Sequence, residues 1–324
     1  MFDRLFNRHR RRGPARPSGI ARVFNNEIMP WLRLLRVQRL FMSIGEPLAG
    51  ACLAAVMART ELSFWTLLDV CFCSIAITAF GMIQNDWCDL VSDRRLHPDR
   101  PLPMRQIPVL AAAIVALACV IVAICLALVS GQRVFLVAVM MIVVASVYNY
   151  TIKNTLVGAS VGMGICRALN VMLGASLIGI SPAVFVLMLA VGAYAGVLMA
   201  FRGGENLRFR LVPGRTVFVP ALLLLASWLV TLPWTASRGA FLAPFVCIVV
   251  AVALAFYEAW RIYGKAVGSD AMRRFVLRLF MVLIPFQAAW IAMPVASNWI
   301  TVFICAAIFW LSSFYLCKVL RDNA

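Results

Sequence analysis

Ten apolar segments, each long enough to cross a bilayer, dominate what this chain can fold into. They fall at about 40–58, 64–84, 107–129, 134–150, 155–179, 182–200, 216–233, 239–260, 275–294 and 298–317. A helix of about 20 apolar residues spans the hydrocarbon core, which is roughly 30 Å thick. Inside that core each backbone N–H and C=O must be satisfied by the chain itself, so such segments fold as helices. The expected fold class is therefore all-α, a polytopic integral membrane helical bundle of nine to ten transmembrane helices, ten preferred. Composition agrees: of 324 residues, 63% are hydrophobic and 13% charged, against roughly 25% charged in a soluble domain.

Charge then sets the orientation. A net charge of +17 could suggest a nucleic-acid binder, but the basic residues are sorted by loop. With ten spans, 26 of the 30 Lys and Arg fall on one side, in the segment before residue 40 and in alternate loops. The other side holds only Arg59, Arg133 and Arg238, while Arg167 lies within a span. Cytoplasmic loops carry such an excess. The expectation is a multi-pass protein of the cytoplasmic (inner) membrane with both termini cytoplasmic and no nucleic-acid partner. Nine spans would leave Lys318 and Arg321 on the opposite side.

Residues 1–30, with Arg10-Arg11-Arg12, Pro14 and Pro17, read as a basic cytoplasmic arm without regular structure, drawn to anionic lipid. Residues 31–320 then form the membrane domain, entered through an interfacial helix around Trp31–Arg39. The basic start lacks an apolar core followed by a small-residue cleavage site, so no cleaved signal peptide is expected. The cysteines, among them Cys71, Cys73, Cys119, Cys125 and Cys166, sit in apolar runs without any C-x-x-C. They read as small buried hydrophobes. His9 and His97 are the only histidines, which excludes a His-rich metal site or a His-based triad.

Chemistry concentrates in Asn85–Asp93. Of 13 acidic residues, Asp86, Asp89 and Asp93 fall in this one stretch, directly after the second apolar segment. On a helix their i, i+3, i+7 spacing turns all three the same way. Three bare carboxylates on one stripe repel one another unless a cation neutralises them, and Mg2+ takes its oxygens from one or two carboxylates plus water and substrate phosphates. The next residues, Arg94-Arg95-Leu96-His97-Pro98-Asp99-Arg100-Pro101-Leu102-Pro103, form a Pro-stiffened loop rich in Arg. Carboxylates for Mg2+ beside Arg94 and Arg100 for phosphate oxygens suit a diphosphate group, and at a membrane surface a lipid diphosphate.

The run N-D-x-x-D-x-x-x-D at Asn85–Asp93, closed by H-P-D-R-P-L-P at His97–Pro103, resembles the first Asp-rich motif of the UbiA superfamily of intramembrane prenyltransferases. Tyr148–Lys153 resembles that family's Tyr-x-x-x-x-Lys loop. Gly164–Asn170 resembles the G-x-x-R-x-x-N helix of its EboC-like branch. The resemblance implies a helical bundle around a cavity that opens to the cytoplasm and laterally to lipid. It also implies Mg2+ on a polyprenyl diphosphate, ionisation of the allylic C–O bond, and attack by a lipophilic, often aromatic, acceptor. Carried over by position, Asn85, Asp86, Asp89 and Asp93 would be metal and diphosphate ligands, and Lys153 a diphosphate contact.

The second motif departs from the family. Where typical members have two or three Asp, the loop after the sixth span reads Phe201-Arg202-Gly203-Gly204-Glu205-Asn206-Leu207-Arg208-Phe209-Arg210. Glu205 alone would be a weak Mg2+ anchor, and Arg202 and Arg208 could supply fixed positive charge in the missing metal's place. This leaves open a non-catalytic relative that binds or moves an isoprenoid lipid. A CDP-alcohol phosphotransferase is set aside, because its D-x-x-D-G-x-x-A-R spacing fails where Leu90 follows Asp89. Glu46 and Arg167 are charges inside spans, which by default face a cavity or a partner. They either pair with each other or line the acceptor pocket together with Asn170, one turn beyond Arg167.

Overall fold

The computed structural model describes residues 27–202, 213–235 and 242–293, and among them the regular elements are all helical. Two short helices, α1 (Met29–Leu34) and α2 (Val37–Ser43), lead into α3 (Gly45–Ala58). Then come α4 (Phe64–Cys88), α5 (Leu90–Leu96), α6 (Val109–Ser130), α7 (Gln132–Val147) and α8 (Leu156–Ala175). The chain continues through α9 (Pro182–Arg202), α10 (Val219–Thr235), α11 (Leu242–Ile262) and α12 (Ser269–Ile291). Among the described residues eight helices are long and apolar enough to cross a membrane, with Gly45–Ala58 a shorter apolar helix. The expected segment 298–317, the arm before residue 27, and Glu205 and Arg208 lie outside the described residues.

The first expected span is split, and Pro47 explains the split. Proline has no N–H and crowds the carbonyl four residues earlier, here that of Ser43. The helix stops at Ser43 and restarts at Gly45. The freed Ser43 carbonyl accepts instead from Asn170 Nδ2 on α8 (2.8 Å), and Ser74 Oγ on α4 stands 3.2 Å away while its proton goes to Asn170 Oδ1. A local defect thus becomes a tie among three helices.

The other spans among the described residues overlap their apolar segments, with α12 starting at Ser269, a turn and a half before the expected 275. Lipid gives no hydrophobic drive between helices, so close backbone approach and interhelical hydrogen bonds hold them. Ala123, Ala127, Ala138 and Cys73 are fully buried where α4, α6 and α7 meet. The α8 helix serves two groups at once. Val171 and Ala175 pack with α3 and α9 to α12, while Leu169 and Leu173 pack with α4, α6 and α7.

The α3–α8 approach depends on glycine. A Cβ on Gly174 would overlap the Pro47 carbonyl oxygen, and one on Gly50 would overlap that of Val171. Both obstacles are backbone atoms that cannot swing aside. Gly174→Ala should therefore force α3 from α8 and cost roughly 1–3 kcal/mol. Detergent-solubilised protein should melt at lower temperature, and an unchanged melting point would contradict the close approach.

Candidate active site at the ends of α4 and α7

The α4 helix ends at Cys88, and Asp89 caps it with φ −87° and ψ 0° before α5 begins at Leu90. The amides of Asp89, Asp93 and His97 still bond four residues back, to Asn85, Asp89 and Asp93. One residue departs from helical geometry while the turn continues, so the three carboxylates keep to one side as their spacing predicts. Asp86 and Asp93 are each 3% exposed, whereas the Asp89 side chain keeps 29% of its surface.

Buried carboxylates need partners, and this chain supplies its own. Arg100 Nη1 lies 2.5 Å from Asp93 Oδ2 and 3.7 Å from Asp86 Oδ1. Lys153 Nζ lies 2.6 Å from Asp89 Oδ1 and 3.3 Å from Asn85 Oδ1. Arg36 donates to Asp86. The Asn85 amide ties the group together, donating to Asp86 Oδ1 (3.3 Å) and Asp89 Oδ2 (3.2 Å). Burial pushes the Asp93 carboxyl above the usual carboxylate range, with the Arg100 charge pulling against it.

Each cation is held by a recognisable device. Arg100 sits in the Pro98–Pro101 loop, which folds on itself through Arg100 N–His97 O (3.1 Å) and Met104 N–Arg100 O (3.0 Å). Leu102 and Ile107 bury its far end against Ile83 and Leu34. Lys153 comes directly after a π-turn at Tyr148–Ile152, its own amide bonding to the Tyr148 carbonyl five residues back (3.1 Å). Such a turn changes the direction of the residues C-terminal to it and is frequent at functional sites. Asn149 locks the turn to α4, donating to the Gly81 carbonyl and to Gln84 Oε1, both at 3.0 Å. Arg36 stands between α1 and α2 with φ 44°, a left-handed conformation costly for a side chain of this kind.

Sequence reasoning treated Arg36 as part of the basic entry segment and missed its place here. Arg33, Arg36 and Arg39 recur every third residue in a stretch otherwise apolar but for Gln38, and that periodicity was the available signal. Arg94, by contrast, is exposed on α5 and stands outside the pairings. The Arg202 backbone closes α9.

Glu46, Arg167 and Asn170 meet in a second, largely interior group. Arg167 Nη1 reaches Glu46 Oε1 at 2.6 Å, and Asn170 Nδ2 reaches Glu46 Oε2 at 2.7 Å. Ser74 Oγ donates to Asn170 Oδ1 at 2.7 Å, so the amide is used from both ends. Glu46 has no exposed surface, while Arg167 keeps 16% of its side chain and lies 5.9 Å from the Phe280 ring centre. Pairing, one of the two sequence readings, is present. Arg167 is the member that still presents surface.

Among the described residues, no three His, Cys, Asp or Glu side chains converge as a closed metal cage would require. Mg2+ needs less than that. One or two carboxylates with substrate oxygens suffice, and Asp86 and Asp89, bridged by one amide, offer such a pair beside donors for phosphate.

The sequence profile of the UbiA prenyltransferase family matches residues 47–284. The chain belongs to this family. Its structure is similar to a digeranylgeranylglyceryl phosphate synthase, with TM-score 0.57 at 16% identity over 81% of this chain and 96% of that one. A UbiA homolog from Archaeoglobus fulgidus bound to DMAPP and Mg2+ gives 0.54 at 16% identity, over 81% and 98%. The apo UbiA homolog from Aeropyrum pernix K1 gives 0.56 at 15%, over 78% and 97%. No curated protein sequence matches significantly. At such identities the likeness establishes the UbiA fold, an integral multi-pass membrane bundle.

The Glu46–Arg167 pair yields a stability test. Glu46→Gln should leave the Arg167 charge unpaired and cost roughly 3–5 kcal/mol, whereas Glu46→Gln/Arg167→Met should recover most of the loss. Thermal melting of both proteins checks this; a single mutant as stable as wild type would remove the pair's structural role.

Proposed function

We propose that this UbiA-family chain is an Mg2+-dependent intramembrane prenyltransferase, moving a prenyl group from a polyprenyl diphosphate to a lipophilic, often aromatic, acceptor. The observation that carries the reading is the mixed cluster at one membrane face. Two linked carboxylates, Asp86 and Asp89, stand beside three cations, Arg36, Arg100 and Lys153. UbiA homologs bound to DMAPP or GPP together with Mg2+ lend support. Residues 31–320 would form the transferase domain and residues 1–30 its basic cytoplasmic arm, with both termini in the cytoplasm.

Asp86 and Asp89 would hold Mg2+, with Asn85 and Asp93 flanking them. Bound there, Mg2+ would neutralise the diphosphate oxygens and ease departure of the group. Arg36, Arg100 and Lys153 would turn from carboxylate to phosphate oxygens, since charge-assisted bonds to either anion are of similar kind. The allylic C–O bond breaks with its electron pair leaving on diphosphate. The prenyl carbon bonds the acceptor, and the acceptor gives up a proton. Arg167, with Glu46 and Asn170 behind it, would face the acceptor. Glu205, Arg202 and Arg208 would complete the diphosphate site from the second motif, Glu205 as a second metal anchor, and Arg94 would meet headgroups at the rim.

A second reading keeps one observation in its favour. With Glu205 the sole carboxylate of the second motif, a non-catalytic protein that binds or moves an isoprenoid lipid would be consistent with the chain. The same departure, with the Gly164–Asn170 helix, supports the EboC-like branch.

Turnover separates the readings. Asp86→Asn and Asp89→Asn should each lower prenyl transfer by about 100-fold or more while insertion stays normal, the scale expected when one fixed charge stabiliser is lost. Wild-type protein that binds a diphosphate lipid yet consumes none across a Mg2+ titration would establish the non-catalytic reading instead. Within the second motif, Glu205→Gln should raise the Mg2+ requirement if Glu205 anchors metal. If fixed positive charge has replaced it, Arg202→Ala should be the damaging change. For topology, a reporter fused after Ala324 and active only outside the cytoplasm should stay silent; a strong signal would return the count to nine spans.

A further inference from the structure

A lateral groove runs between α10 and α11, well separated in sequence from the Asp cluster and its cations. It encloses about 740 Å³, with Leu225, Leu229, Val249, Ala253, Phe256 and Trp260 among its walls. Along α11 it extends from Phe245 to Trp260, about 22 Å at 1.5 Å per residue. That is more than half the roughly 30 Å depth of the hydrocarbon core. The walls offer essentially no polar atoms, so the groove itself can recognise only hydrocarbon.

One end is different. Phe218, Phe256, Trp260 and Tyr263 close it as a chain of aromatic contacts, with centroids 5.0 Å apart for Phe218–Phe256, 6.3 Å for Phe256–Trp260 and 6.4 Å for Trp260–Tyr263. Trp and Tyr collect at membrane–water interfaces. At the same end the Gly264 amide bonds to the Pro213 carbonyl (3.2 Å), drawing the loop after α11 onto the segment before α10. Arg215, Arg261 and Lys265, all exposed, lie within a few residues of that contact along its two segments. Arg261 rests over the Tyr257 ring, 5.8 Å from its centre. Its carboxylate partner, Glu258, is shared with Arg278. Arg215 and Lys265 have no ion-pair partner among the described residues. Because successive spans alternate in direction, this end lies on the same membrane face as Asp86 and Lys153.

We propose that the groove between α10 and α11 is a binding site for an anionic phospholipid. Its acyl chains lie along the apolar walls of α10 and α11, and its phosphate sits at the rim that carries Arg215, Arg261 and Lys265. Charge complementarity selects the occupant: a neutral lipid would fill the apolar part equally well but would leave Arg215 and Lys265 without a counter-charge among the described residues. Basic pockets between membrane helices on the cytoplasmic side recognise anionic headgroups in this manner. The site needs neither prenyl diphosphate nor Mg2+ and stands independently of the transferase reading.

The test is native mass spectrometry of the full chain in detergent, titrated with phosphatidylglycerol and phosphatidylcholine of identical acyl chains. Wild-type protein should retain phosphatidylglycerol about tenfold more than phosphatidylcholine, and Arg215→Gln/Arg261→Gln/Lys265→Gln should bring the two close to parity. The Arg-rich segment before residue 40 is intact in that variant, so a lost preference belongs to the rim. Ala253 is exposed in the groove, and Ala253→Trp should lower retention of both lipids without entering the core. Equal retention of the two lipids by wild type overturns the proposal, as does a preference that survives the triple substitution. Unchanged retention in Ala253→Trp, or a fold that Ala253→Trp destabilises because protein already covers the groove, overturns it as well.

Discussion

Everything at the candidate site depends on the compensation of buried negative charge. Asp86 and Asp93 are almost wholly removed from solvent, and an isolated buried carboxylate is too costly to keep ionised. Three cations meet this requirement, and each comes from a different part of the chain: Arg36 before the first span, Arg100 after the second, Lys153 after the fourth. The cluster therefore pins the entry segment, a Pro-stiffened loop and a π-turn to one another. A group of ions that can exchange carboxylate for phosphate is also what a diphosphate site requires, so on the proposed function one arrangement would serve folding and chemistry.

The interior obeys the same constraint in a harsher medium. Pro47 removes a helical donor, and the exposed Ser43 carbonyl would be an unsatisfied group in hydrocarbon. Asn170 answers it and at the same time holds Glu46, which Arg167 neutralises. These contacts require α3 and α8 to run almost backbone to backbone, which Gly50 and Gly174 permit. Glycine, proline, amide and ion pair at this junction are one solution to a single problem, the satisfaction of polar groups where water is absent.

Polar chemistry is otherwise confined to one membrane face. The Asp cluster, the end of α9 and the basic rim beside the α10–α11 groove all lie there, while the opposite loops carry few charges. On the proposed function, a substrate with a charged head and a hydrocarbon tail would meet the protein from that side. The UbiA fold is kept at 15–16% identity to its solved relatives, so the helical scaffold tolerates wide replacement of its residues.

Sequence alone determined the helical class, the approximate positions of the eight long spans among the described residues and the Asp stripe, because hydrophobic runs and i, i+3, i+7 spacing are local properties of a chain. The stripe survived even though α4 and α5 part at Asp89, since hydrogen bonds four residues back carry through the break. The ion partners were not legible in the same way. Lys153 was found by resemblance, and Arg100 by its neighbourhood in the sequence. Arg36 escaped because it lies 50 positions from Asp86, and nothing local distinguishes a cation that folds inward from one that sets topology. The split of the first span was readable in Pro47, but the donor that repairs it, Asn170, comes from a helix far along the chain. Which charges meet is decided by helix packing, and packing is the property that only the tertiary structure holds.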